Sequence, residues 1–118
     1  MVRGVRGAIT CDKNEREEIL SRTKELLTEI LERNQISGEN ISAIIFSATS
    51  DLNKAFPAEA AREMGLTRVP LLDTQEMEVE GAMKRVIRIL LLFETDKSQD
   101  EIKHVYLRGA ASLRSDLS

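Results

Sequence analysis

Residues 85–95 read RVIRILLLFET, and the second arginine of that stretch is where chemistry is first to be sought. Arg88 interrupts a run that otherwise holds Val86, Ile87 and the five apolar residues 89–93. A guanidinium shielded from water costs several kcal/mol unless an anion meets it. Its partner is either a carboxylate of the chain, with Glu76, Glu78 and Glu94 as candidates, or an oxygen of a ligand. Arg6, in VRGVRGAIT, favours the ligand. On a strand it shares a face with Gly4 and Ala8, which are too small to hide it. The planar fork of arginine suits carboxylates and ether or enolate oxygens.

The remaining polar residues are less specific. Glu76 belongs to TQEMEVEG, where strand alternation would put Glu76, Glu78 and Glu80 on one exposed face as solvated acids. Tyr106 reads as a packed ring with its hydroxyl at the rim. His104 shares its face, with no metal partner to name. Arg62 and Arg114 read individually as surface residues. Cys11 is the one cysteine and His104 the one histidine, so a thiolate or histidine metal cluster, a serine triad and a disulfide framework are not expected. A glycine-rich phosphate loop, a paired-carboxylate motif and a nucleophile elbow are also missing from the sequence. The residues alone point to a small, multiply anionic ligand held by arginines.

The elements that must position these side chains are easily traced. The 118 residues are 42% hydrophobic and 31% charged with a net charge of −3, which fits one soluble domain, 1–118, without a pull toward nucleic acid or anionic membrane. Three Phe and one Tyr make no base-stacking platform. No apolar run approaches the ~20 residues of a membrane helix and no signal peptide is recognisable, so a cytoplasmic protein is expected. Residues 2–10 read as a strand. Asn14 and Glu17 suggest a capping box opening an amphipathic helix of about 18–20 residues, with Ile19, Leu20, Leu26, Leu27, Ile30 and Leu31 at helical spacing. Residues 41–49 read as a buried strand, and Pro57 opens a short helix that Gly65 closes. RVPLLD, residues 85–95 and KHVYL complete a β-α-β-α-β-β-β order, an α/β (α+β) domain with a mixed sheet. One long helix covers one sheet face. The other, with Val86, Leu90 and Leu92 beside Arg88, has to be buried elsewhere, so a homo-oligomer is expected.

RGVRGAIT, SATSDLNKAFPAEAAREMG, VPLLDTQEM, VIR and HVYLRGAASLRSDL, in this order and nearly end to end, resemble the monofunctional chorismate mutases of the trimeric α/β class. The resemblance implies a homotrimer resembling an α/β barrel, with a site in each cleft between subunits. It implies rearrangement of chorismate to prephenate, with no metal, organic cofactor or covalent intermediate. Arg88 matches the arginine donating to the ether oxygen, and Glu76 the acid facing the ring hydroxyl and the developing positive charge. Arg6 matches a carboxylate grip and Tyr106 a contact to the enolpyruvyl carboxylate. Leu72, Asp73, Thr74 and Gln75 match the stretch along the ring. Phe56, Ala58, Arg62, Leu113 and Arg114 match positions around the mouth, with the polar tail 113–118 as a partial lid. Two positions depart from some members of the family. Glu59 replaces an entrance lysine, and Asp73 replaces a cysteine near the ring hydroxyl. Two other readings share the architecture: a non-catalytic trimer that senses a chorismate-like dicarboxylate, and an imine-hydrolysing trimer.

Overall fold

The computed structural model describes residues 1–113. Strand β1 (Val2–Thr10) leads into helix α1 (Arg16–Arg33), followed by β2 (Ile41–Ala48), the short helix α2 (Pro57–Glu63), β3 (Leu71–Gln75), β4 (Val86–Glu94) and β5 (Val105–Leu107). The five strands form one mixed sheet in the order β3-β2-β4-β1-β5. β4 is antiparallel to both β1 and β2, whereas β3 and β5 lie parallel at the edges. No helix among the described residues is long and apolar enough to cross a membrane.

Strand parity sorts the sheet into two faces. Val5 and Ile9 of β1, Ile44 and Phe46 of β2, and Ile87, Ile89, Leu91 and Phe93 of β4 are all buried in one cluster with Ile19, Leu26, Leu27 and Ile30 of α1. Ala58 and Ala61 of α2 join the same cluster, so both helices cover this face. The alternate residues of β4 behave differently. Leu90 is 37% exposed and Leu92 half-buried. Val86 departs from the expectation of an uncovered face at that position: it is buried within the chain against Tyr106 and Ala110.

Two ends of elements also differ from expectation. Asn14 does not cap α1, whose first turn has no side-chain cap. Its amide instead donates to Asn53 Oδ1 at 2.8 Å and accepts from the Asn53 N–H at 3.0 Å. A partner 39 residues away outcompetes the local one. β3 begins at Leu71 rather than Arg68, because the parallel register with β2 starts only at Ile44↔Leu71. Gly65, with φ of +93°, does end α2, a conformation that costs other residues.

Two contacts set β1 and β5 where the site needs them. The buried Asn34 side chain, at the end of α1, donates to the Lys103 carbonyl at 2.9 Å and accepts from the Lys103 N–H at 2.8 Å, fixing the approach to β5. Gly7 lets α1 descend onto β1: a Cβ there would sit 2.8 Å from Ile30 Cδ1 and 2.9 Å from the Val105 carbonyl oxygen. Gly7→Ala should therefore destabilise the fold by about 1–3 kcal/mol in denaturant unfolding. Gly4→Ala, where the nearest atoms lie at 3.4 Å, should be tolerated. Equal stability of the two variants would contradict this packing.

Candidate active site

The register of the strands draws one row across the open face. Thr74 pairs with Ser47, Ser47 with Arg88, Arg88 with Ala8, and Ala8 with Tyr106. Residues in such a row point the same way. The small Ala8 between Arg88 and Tyr106 leaves a cleft of ≈ 230 Å³, whose lining includes Arg6, Ser47, Arg88 and Tyr106. Arg6 is exposed, and its backbone N–H donates to His104 Nδ1 at 3.0 Å. Tyr106 is buried against Ala8, Val86 and Ala110, and Leu113 packs on the same cluster.

Arg88 is placed by the clamp on the start of its strand. Before it, Arg85 takes a left-handed φ of 52°, and its N–H donates to both oxygens of Asp51 at 3.2 Å. Thr49 Oγ1 then accepts from the Val86 N–H at 3.1 Å. The residues after β2 thus clamp the start of β4, and Arg88 follows two positions on.

Glu76 differs from its acidic neighbours in its partners. Its N–H donates to the Ala48 carbonyl at 2.8 Å, continuing the β2–β3 pairing. Its Oε2 accepts from Ser47 Oγ at 2.6 Å and lies 3.0 Å from Arg88 Nε. Glu78 and Glu80 are exposed, so the expectation of three equivalent solvated acids fails at Glu76. The Arg88 contact is an ion pair without a hydrogen bond. Nε is close to Oε2, yet its N–H is not aimed there, and this water-shielded atom has no acceptor among the described residues. A buried donor left so is costly in a finished structure and useful in a site awaiting a ligand oxygen.

A second cleft of ≈ 610 Å³ lies beyond β2 and shares no lining residue with the first. Arg16, Phe56, Glu59, Asp73, Thr74 and Gln75 contribute to it. Phe56 is 67% and Leu72 56% exposed, unusual for large apolar side chains. Arg62 is exposed on α2, whereas the Ala58 side chain is buried in the core. Arg114 and the tail 114–118 fall outside the described residues. The chain therefore brings Arg6, Arg88 and Tyr106 into one cleft with Glu76 against Arg88, but lines a separate cleft with Phe56, Asp73, Thr74 and Gln75.

The two departures have partners within the chain. Glu59 is bridged by Arg16, whose Nη1 donates to Oε1 at 3.1 Å and whose Nη2 contacts Oε2. These hydrogen bonds hold the Glu59 carboxyl below the usual range. Its charge is thus neutralised rather than facing an anion alone. Asp73 Oδ1 accepts from the Ala58 N–H at 3.0 Å, capping α2 from the neighbouring strand. Burial raises its pKa, against the opposing pull of the Ala58 N–H and Arg62. Burial, and next the Glu18 charge, push the Cys11 thiol up to about 11, so it stays protonated near neutrality and is no nucleophile.

Ser47 is the site residue that composition and spacing did not single out. Parity from the buried Phe46 would put it on the open face, but only the register with β4 puts it opposite Arg88.

The helix-backed sheet thus presents Arg6 and Arg88 on its open face, with the Glu76 carboxylate against Arg88. The family model for chorismate mutase type I matches residues 2–117. Chorismate mutase AroH of Thermus thermophilus is 54% identical over 118 residues, covering 99% of this chain and 97% of its own length. Chorismate mutase AroH of Bacillus subtilis (strain 168) is 46% identical over 119 residues, covering 100% and 94%. A solved chorismate mutase from Clostridium thermocellum superposes with a TM-score of 0.90 at 44% identity, over 92% of this chain and 96% of that one. The chain belongs to the type I chorismate mutase family. Its class of reaction is an intramolecular isomerisation.

The raised pKa of Asp73 carries a sign. The unfolded chain releases this proton at lower pH than the fold does, so the buried carboxylate lowers stability as pH rises through the folded pKa. Asn can still accept from the Ala58 N–H. Asp73→Asn should therefore melt higher than wild type at pH 7, and the gap should close as the pH falls into the ordinary carboxylate range. A gap that widens on acidification would mean that Asp73 is stabilised as an anion.

Proposed function

We propose that the chain converts chorismate to prephenate by selecting a compact conformer of the substrate and stabilising the charge that separates as the ether bond breaks. The observation carrying this reading is the water-shielded Arg88 Nε, which sits 3.0 Å from Glu76 yet has no hydrogen-bond acceptor among the described residues. The rearrangement is unimolecular, so no proton moves and no nucleophile is activated. As the C–O bond breaks, the enolpyruvate-like oxygen becomes negative and the ring positive. Arg88 donates to the oxygen, and Glu76 accepts from the ring hydroxyl and faces the ring. Arg6 grips a carboxylate, Tyr106 contacts the enolpyruvyl carboxylate, and holding the ends together brings the reacting carbons into range.

The two separate clefts support a site made by two copies. Phe56, Ala58, Arg62 and the residues Leu72, Asp73, Thr74 and Gln75 of one subunit would close over Arg6, Glu76, Arg88 and Tyr106 of the next. Leu113 would lie at the mouth, in a homotrimer of single-domain chains acting in the cytoplasm. The exposed Leu72, Phe56 and Leu90 supply the apolar surface such an assembly buries.

Purified protein added to chorismate should remove its near-ultraviolet absorbance saturably, with prephenate as sole product after acid conversion to phenylpyruvate. A folded protein that binds chorismate and leaves it unchanged would make it a sensor. Chains carrying Arg88→Ala and Arg62→Ala, each impaired alone, should regain part of the activity when refolded together. Absence of recovery in mixed oligomers would place both arginines in one subunit.

A further inference from the structure

We propose that Ser47 is a positioning residue that keeps the Glu76–Arg88 pair open, an inference that builds on the chorismate mutase reading. A glutamate and an arginine in contact tend to settle into two parallel hydrogen bonds, which would consume the donors of one and the acceptors of the other. Here they do not. Oε2 of Glu76 lies 3.0 Å from Arg88 Nε but out of line with its N–H. The same oxygen takes a short hydrogen bond of 2.6 Å from Ser47 Oγ.

The position of Ser47 explains the outcome. It sits inside β2, paired on one side with Arg88 and on the other with Thr74, so its hydroxyl rides on backbone fixed by two strands. Glu76 lies one residue beyond the end of β3, where only its N–H is held by β2, and its long side chain is otherwise free to turn. A short, stiff donor on an interior strand therefore sets the direction of a long, flexible acceptor. Hydrogen bonds to an ionised carboxylate are the strong kind, which lets a serine compete with an arginine for one oxygen. Two consequences follow. Arg88 keeps its Nε–H for a ligand oxygen in the cleft that both residues line. Glu76 keeps Oε1 to accept from a ligand hydroxyl, because both of its side-chain contacts fall on Oε2.

Removing the hydroxyl should let the pair collapse. Substrate would then have to break a finished ion pair before Arg88 could serve the reaction. Ser47→Ala should lower kcat by about 10- to 100-fold with little change in KM, the range expected for one lost hydrogen bond to a charged group. Ser47→Thr, which keeps an Oγ, should recover most of the loss. In a Glu76→Gln background Ser47→Ala should cost no more than about 2-fold, because there is no carboxylate left to steer. A loss of the same factor in both backgrounds, a loss confined to KM, or no rescue by Thr would overturn the proposal.

The resting protein gives a readout that does not depend on turnover. The Nε–H resonance of Arg88, followed by nitrogen-15 NMR, should move downfield in Ser47→Ala as the N–H aligns with Glu76. An unmoved resonance would also overturn the proposal. If that resonance moves while the wild type fails to convert chorismate, the reading of function fails and the role of Ser47 in the pair stands.

Discussion

Everything in this fold depends on a sheet with two faces and helices for only one of them. β4 runs through the centre, antiparallel to both neighbours, and its odd residues from Ile87 to Phe93 carry the core against α1 and α2. Of its even residues, Val86 is buried against Ala110 and Tyr106, whereas Arg88, Leu90 and Leu92 meet neither α1 nor α2. An arginine could not be placed among the odd positions without the full cost of a buried charge. At position 88 it stands at a half-open surface, carried by the middle strand of the sheet and paired with Glu76. Rigidity and access are thus obtained together, the condition under which fixed charges act on a reaction without having to reorganise.

That arrangement suits a reaction that moves no proton. The site offers a cation and, 3.0 Å from it, an anion, with Arg6 and Tyr106 lining the cleft that Arg88 lines. Other features of the chain serve geometry rather than chemistry. Asn34 fixes the approach to β5, Asp51 and Thr49 clamp the start of β4, and Asp73 caps α2. The Arg16–Glu59 bridge shows the same economy at the second cleft. Glu59, which stands where some family members have a lysine, arrives with its own counterion from α1.

The strands, the long helix and their order could be read from apolar periodicity, because burial on one side leaves a clear pattern. The uncovered face could be read as well, since a seven-element chain with one long helix has too little to cover it. Details that depend on distant partners could not. Asn14 carries a local capping signal but bonds to Asn53, and Glu76 is indistinguishable by alternation from Glu78 and Glu80 until the chain turns it toward Ser47. Ser47 itself needed the register of β2 against β4, which no single strand encodes. The roles given to Arg6, Glu76, Arg88 and Tyr106 came from family resemblance, because isolated charges on strands have many uses.

The most direct test of the account replaces Arg88 with citrulline by semisynthesis, keeping the shape of the side chain and removing its charge. Chorismate affinity and the rate of the chemical step would be measured separately, by equilibrium binding and single-turnover kinetics. The account predicts that the chemical step slows by at least ~10²-fold while affinity changes far less. Equal damage to both, or a chemical step that is unaffected, would contradict the claim that Arg88 acts on the charge developing at the transition state.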